Sequence, residues 1–335
     1  GFLARRRAGE PRGDRLAWGG FLALGCFSWL FVLTLLRDLV LIALAIAAAA
    51  APALEGVARH ASAATALAVP VLTLIAVVLG LYNARHIPRV LDVDIPLAGL
   101  PAPLCGLTIV QVSDLHVGPT IKRHYVQAVV DVVNRLSPDI VALTGDLVDG
   151  GVARLSADVA PLATIQATIG VYAVTGNHEY YSGAQEWIAE FRRLGFDVLM
   201  NEHRVVRRGG ATLVVAGVTD ISAGHFDPDQ ASSPADALRG APPDAQARLL
   251  LAHQPRSASD AARAGFDLQL SGHTHGGQFW PWRYVVPLQQ PYVAGLHRLG
   301  ELWIYVSRGT GYWGPPLRLG ARSEITRLHL RRAAS

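Results

Sequence analysis

Five short segments gather side chains able to bind metal ions: Asp114-Leu115-His116, Gly145-Asp146, Gly176-Asn177-His178-Glu179, His253, and Gly272-His273-Thr274-His275. Their donors are carboxylate and amide oxygens and imidazole nitrogens, a mixture that suits Mn, Fe or Zn rather than Ca or Mg. The seven candidate ligands Asp114, His116, Asp146, Asn177, His253, His273 and His275 exceed what one ion uses alongside water. Two divalent ions sharing a bridging carboxylate fit the set better. Such a pair, about 3.5–4 Å apart, can hold a bridging hydroxide and clamp both ends of an in-line displacement at phosphorus. His178 follows Asn177 and points to the opposite side if a strand continues there. It reads as an acid, or as a donor to phosphoryl oxygens, rather than as a ligand. A thiolate site is excluded, because Cys26 and Cys105 are the only cysteines.

These residues need elements that bring them together. LTIVQVS (107–113), DIVALT (139–144) and VYAVT (171–175) read as short buried strands, with helical patterns over 121–136 and about 154–167 between them. Strand, helix, strand at this spacing indicates βαβ units and a largely parallel core. Later apolar runs at 211–218, 247–254, 267–273, 302–307 and 325–331 have fewer helices between them and predict a second sheet packed on the first. Most of the site-bearing runs finish in a small residue plus Asp, Asn or His, and the carboxyl ends of strands are where open α/β folds bind ligands. Period-two alternation would turn Asp114 and His116 toward one ion, and His273 and His275 likewise. His60, His86, His124, His203, His225, His297 and His329 lack such a setting and are left as ordinary core or surface residues.

SDLHVG (113–118), TGDLVDG (144–150), GNHEYY (176–181), AHQP (252–255) and SGHTHGGQ (271–278) resemble, in order and spacing, the five blocks of the calcineurin-like metallophosphoesterases. The resemblance covers roughly residues 105–330, and GHTHGGQ with the apolar N-terminal region is most similar to the membrane-anchored bacterial branch. It implies an α/β fold, a four-layer α/β/β/α sandwich of two mixed sheets, preceded by transmembrane helices. It also implies Asp114, His116, Asp146 and His275 around one metal and Asp146, Asn177, His253 and His273 around the other, with Asp146 as the bridge and His178 as the catalytic histidine. No motif position is substituted, so an active enzyme is expected. The family cleaves monoesters, diesters, cyclic nucleotides and pyrophosphates with nearly the same ligands, so the motifs specify the bond and not the substrate.

Hydrophobic residues make up 51% of the chain and charged residues 17%, against roughly 25% in an ordinary soluble domain. The deficit lies before about residue 85. Trp18–Leu36 carries no charge, a second apolar stretch follows Arg37-Asp38, and Ala63–Tyr82 forms a third. The first and last meet the roughly 20-residue length of a membrane span; the middle piece either continues a long helix or makes a short separate span. A cleaved leader has an apolar core of only about 7–15 residues, so membrane insertion is the better reading. This divides the chain into a membrane region at 1–87 with helices near 17–38 and 63–83, a Pro-marked connector at 88–104, and a phosphoesterase domain at 105–332. The chain opens on Gly rather than Met, so further residues are expected upstream.

Arg5, Arg6, Arg7, Arg12 and Arg15 precede the first span, and Arg85 and Arg89 follow the last. The positive-inside rule then predicts a multi-pass hairpin in the inner membrane with a cytoplasmic catalytic domain. A net charge of +4 without a basic stripe argues against nucleic acid as a partner. Anchoring at the bilayer suggests a lipid-linked phosphoester as substrate. Phe279, Trp280, Trp282 and Tyr284 are expected in a packed β-hairpin, with an apolar entrance as the alternative, and Arg308–Tyr312 reads as a Gly-rich turn approaching the phosphate. Two other readings compete: a membrane sensor or binding module on a vestigial phosphoesterase fold, and a secreted phosphatase with a cleaved leader.

Overall fold

In the central strands Ile109, Ile140 and Ala142 face one way, Val110, Val112, Val141 and Leu143 the other, and all are fully buried. Strands apolar on both faces must be covered on both, which a layered α/β fold provides. The computed structural model describes residues 11–333, so Arg5, Arg6 and Arg7, and the side chain of Arg12, lie outside the described residues. Its first sheet has the order β1 (Arg89–Leu97), β12 (Glu324–Arg332), β2 (Thr108–Val112), β3 (Ile140–Thr144), β4 (Gly170–Val174), β5 (Asp197–Val198). Every neighbour in it is parallel except β12 with β2. The second sheet runs β10 (Gly295–Leu299), β11 (Leu302–Val306), β9 (Leu268–Ser271), β8 (Ala247–Leu251), β7 (Ala211–Gly217), β6 (Glu202–Arg208). Its two outer pairs, β10 with β11 and β6 with β7, are antiparallel. Ile109, Val174, Leu213, Leu249, Leu270 and Leu328 fill the layer between the sheets. Helices α3 (Arg123–Arg135), α4 (Val152–Val159) and α6 (Ala184–Arg193) cover the first sheet, and the short α7 (Pro234–Ala237) and α8 (Ala258–Ala264) cover the second. The expected four-layer sandwich of two mixed sheets is therefore present.

Four strands escape the sequence reading, the two-residue β5 among them. Residues 89–97, read as connector, form the edge strand β1, paired in parallel with β12 from Arg89↔Glu324 to Leu97↔Arg332. The prolines obscure its period-two pattern, and Pro96 is tolerated because an edge strand needs partners on one side only. Asp92 links the two strands by accepting from Arg327 (2.6 Å) and His329 (3.0 Å), which holds its carboxyl down at about 2. Strands β6 and β10 are each half exposed and too polar to stand out as apolar runs.

Ahead of the sandwich stand two long helices, α1 (Pro11–Ala50) and α2 (Glu55–Arg85). The first runs straight through Arg37-Asp38, whose side chains pair at 3.0 Å, so the middle apolar piece continues it. With 40 and 31 residues they extend about 60 and 46 Å at 1.5 Å per residue. Both are long and apolar enough to cross a bilayer. Leu39, Ile42, Ile46, Leu67 and Leu74 are exposed and suit a lipid surround. One half of the hairpin docks on the sandwich: Trp29, Ala76 and Val77 pack with Phe279 and Leu317. A Cβ on Gly25 would lie 2.5 Å from Leu317 Cδ1, so a larger residue there would require Leu317 to shift.

Candidate metal centre

Strand alternation does not aim the candidate ligands. Strand β2 ends at Val112 and β9 at Ser271, before any of them. Instead Asp114 (φ 54°), His116 (φ 51°), Asp146 (φ 52°), His273 (φ 68°) and His275 (φ 52°) adopt left-handed backbone conformations. This region is costly for residues other than glycine and persists where surrounding structure enforces it. Among the described residues eight non-glycines have positive φ, and five of them are these candidates. Each tight turn swings a donor inward over the carboxyl edge of the sheets. Gly176 and Gly272 make room: a Cβ on the first would lie 2.2 Å from Asp146 Oδ1, and on the second 2.1 Å from Asp114 Oδ2.

The turns bring all seven expected residues to one place. His116 Nε2 stands 3.1 Å from His275 Nε2, which is 3.4 Å from Asp114 Oδ1. His253 Nε2 lies 3.2 Å from His273 Nδ1 and 3.1 Å from Asp146 Oδ2. Donors about 2.0–2.2 Å from one shared ion stand about 3.0–3.5 Å apart, so each separation fits. Asp146 lies between the groups, its Oδ2 also 3.9 Å from His116 Nε2. The side-chain oxygen of Asn177 is buried and accepts no hydrogen bond among the described residues. An orphaned oxygen costs about 1–3 kcal/mol unless a cation or donor meets it. The donor set and its geometry therefore fit divalent metal.

Burial and neighbouring charge polarise the cluster. Burial pushes the Asp114 carboxyl above its ordinary range. At Asp146 burial works the same way, but His253 and His178 outweigh it and hold the carboxyl well below. Burial, with His253 beside it, takes His273 down to about 3, and burial together with His116 and Arg318 takes His275 well below its usual value. Both rings are neutral near pH 7, as metal donors must be.

His178 is not on a strand, because β4 ends at Val174 and helix α5 (Asn177–Ser182) begins three residues later. It therefore faces the same pocket as the candidate ligands rather than away from them. Its backbone N donates to Asp146 Oδ1 at 2.8 Å, and its Nε2 is 3.9 Å from Asp146 Oδ2. Its Nδ1 meets Asp149 Oδ1, which also lies 3.1 Å from His116 Nδ1. Burial opposes charge on Asp149, yet His116 and His178 outweigh it and keep that carboxyl far below the usual range. One carboxylate thus orients two rings and turns their Nε2 atoms toward the cluster. Glu179, fully buried, accepts from the backbone N of Gly176, Asp146 and Leu147 and ties two ligand turns together. Sequence reasoning assigned neither acid a role, although both stand inside the motif blocks.

The profile of the calcineurin-like phosphoesterase family matches residues 107–277, half of the chain. The chain belongs to that family. A Danio rerio protein named transmembrane protein with metallophosphoesterase domain is 40% identical over 287 residues, covering 83% of this chain and 65% of that one. Its Bos taurus namesake is 42% identical over 280 residues, covering 80% and 62%. An uncharacterized metallophosphoesterase of Campylobacter jejuni is 35% identical over 270 residues, covering 79% and 69%. The chain thus spans slightly under two thirds of the two vertebrate proteins. The relatives thus include vertebrate as well as bacterial proteins.

Two further parts of this family member lie outside the motif blocks. Arg318, fully buried, donates to the carbonyls of His275 (2.9 Å), Arg308 (2.7 Å) and Gly311 (3.2 Å) and sets Nη2 3.1 Å from His275 Nδ1. Burial lowers its pKa to about 10, so it stays charged at neutral pH. Its backbone joins the hairpin, with N donating to Gly80 O (2.9 Å) and O accepting from Asn83 Nδ2 (3.0 Å). The Gly-rich turn expected to approach phosphate instead braces a ligand loop: Thr310 N and Gly311 N donate to Ser113 O and Asp114 O, while Arg308 pairs with Glu324 at 2.8 Å. Trp282–Tyr284 and Val286–Leu288 form 3₁₀ turns rather than a β-hairpin, and Phe279 and Trp282 line a cavity of about 770 Å³ above the cluster.

Proposed function

We propose that the domain hydrolyses phosphoesters with two divalent ions, Mn, Fe or Zn. Asp114, His116, Asp146 and His275 hold one and Asp146, Asn177, His253 and His273 the other, so Asp146 bridges. The observation that carries this reading is the position of the Asp146 carboxylate, 3.1 Å from His253 and 3.9 Å from His116, flanked by donors on both sides. Ions bound there supply Lewis-acid stabilisation of phosphoryl oxygens and lower the pKa of an attacking water.

The protein's own groups do the rest. Asn177 contributes an amide oxygen, which neutralises less charge than a third carboxylate and leaves the centre attractive to an anionic phosphoester. His178, oriented by Asp149, protonates the leaving oxygen or donates to a phosphoryl oxygen from Nε2. Leu147 and Asp146, fixed through Glu179, keep the bridging turn from moving as charge develops. The hairpin of α1 and α2 anchors the domain at the cytoplasmic face of the inner membrane, both helix ends on that side. A phosphoester carried on an apolar group suits this location.

The test is hydrolysis of bis-p-nitrophenyl phosphate and p-nitrophenyl phosphate by the purified chain, stripped of metal and resupplied with Mn, Zn or Fe. Metal-dependent release of p-nitrophenol from either is the expected result. A chain that cleaves neither ester and retains no metal would overturn the reading in favour of a binding module on the same fold.

A further inference from the structure

The cavity over the candidate metal centre is not enclosed by the phosphoesterase domain alone. Its floor is Asp146, Asn177, His178, His273 and His275, and one wall is the first long helix, through Leu24, Phe27, Ser28 and Phe31. These four are spaced i, i+3, i+4 and i+7 and so form one face of α1. Ser28 anchors the opposite wall, its Oγ accepting from Trp282 Nε1 at 2.9 Å. Phe27 and Phe31 stack with ring centroids 6.3 Å apart, yet remain 63% and 53% exposed. The same two rings thus face both the catalytic cavity and the space around a helix built for lipid.

A soluble phosphoester needs none of this. At about 770 Å³ the cavity is several times larger than a phosphoryl group requires, and away from the ligand cluster its lining is mostly aromatic and aliphatic, with the amides of Gln278 and Gln290 engaged by Trp313 and Gln254. We propose that the substrate is an amphiphilic phosphoester drawn sideways from the bilayer. Its phosphoryl group sits at the ligand cluster, and its hydrocarbon chain lies along Leu24, Phe27 and Phe31 and leaves over the exposed faces of Phe27 and Phe31. The hairpin is then half of the substrate site as well as an anchor. This rests on the phosphoesterase reading above and names the substrate class for it.

The test uses the full chain in phosphatidylcholine nanodiscs and a series of p-nitrophenyl alkyl phosphate diesters from methyl to dodecyl. Each methylene buried against the wall raises kcat/KM by up to about fourfold until the chain passes Phe31. Longer chains also partition into the disc, so the deciding quantity is the ratio of Phe27→Ala/Phe31→Ala to parent at each length. The double variant is expected to lose about tenfold or more on the dodecyl ester and less than about twofold on the methyl ester. Ile42→Ala/Ile46→Ala, placed away from the cavity, should follow the parent at every length. Equal losses on both esters, or none on either, would overturn the proposal while leaving the phosphoesterase standing. Binding of dodecylphosphonate and methylphosphonate by calorimetry gives a readout without turnover. A dodecyl preference that falls about tenfold in the double variant supports the proposal even where no ester is cleaved, and an unchanged preference sinks it.

Discussion

Asp149→Asn isolates the carboxylate that orients two imidazoles. Its Oδ1 lies 3.1 Å from His116 Nδ1 and in hydrogen-bond contact with His178 Nδ1. Asparagine keeps the shape and one acceptor oxygen but removes the charge. Hydrogen bonds to charged groups contribute about 1.5–3 kcal/mol and neutral ones about 0.5–1.5, so two weakened bonds cost about 2 kcal/mol together. That corresponds to about thirtyfold in kcat/KM, inside the 10–100-fold range typical when the outer partner of a ligand is changed. The share acting through His116 should appear as weaker metal retention, and the share through His178 as lower kcat at saturating metal. Measuring kcat for bis-p-nitrophenyl phosphate across a Mn titration separates them. In a His178→Ala background the kcat share should vanish, because the two residues act as a unit. A variant with parental kcat and parental metal affinity would refute the assignment of Asp149, and additive losses in the double variant would refute its action through His178.

Other variants probe the remaining parts. Asp146→Asn removes the shared carboxylate and should cut turnover by several orders of magnitude with loss of bound metal; near-normal activity would defeat the two-ion reading. His178→Ala should retain both ions by elemental analysis and lose about 10²–10⁴ in kcat, the usual range for acid catalysis; loss of metal instead would make it a ligand. Arg318→Met leaves the buried carbonyls of His275, Arg308 and Gly311 without their donor, a cost of about 3 kcal/mol or more. Thermal unfolding in detergent should fall by several degrees, and an unshifted Tm would mean those carbonyls find other partners.

What the sequence makes legible follows from the range over which each interaction acts. The donors are visible because their types are rare together and each closes a short apolar strand, so convergence at the sheet edges follows from strand direction. How they are aimed is not visible. Left-handed φ at Asp114, His116, Asp146, His273 and His275 is enforced by tertiary contacts and contradicts local preference. Asp149 sits within TGDLVDG, but its role exists only where His116 and His178, 33 and 29 residues away in the chain, meet it. Arg318 comes from a stretch without periodicity, and nothing near it in sequence announces that its guanidinium will reach His275.

The N-terminal helices are the sharpest case, because two demands there require the same residues. A lipid-facing helix and the wall of a hydrocarbon site both call for side chains such as Leu24, Phe27 and Phe31, so composition cannot separate anchor from site. The docked geometry supports the site we propose, through Leu317 seated against Gly25 and Gly80 and Trp282 bonded to Ser28. A hairpin used purely as a tether would require no close approach of this kind and would tolerate larger residues at Gly25 and Gly80. These contacts instead set the helix at a fixed height over the ligand cluster. On the reading we propose, that fixed height makes the distance from phosphoryl group to bilayer a property of the fold, and it is the physical reason to expect selection by chain length.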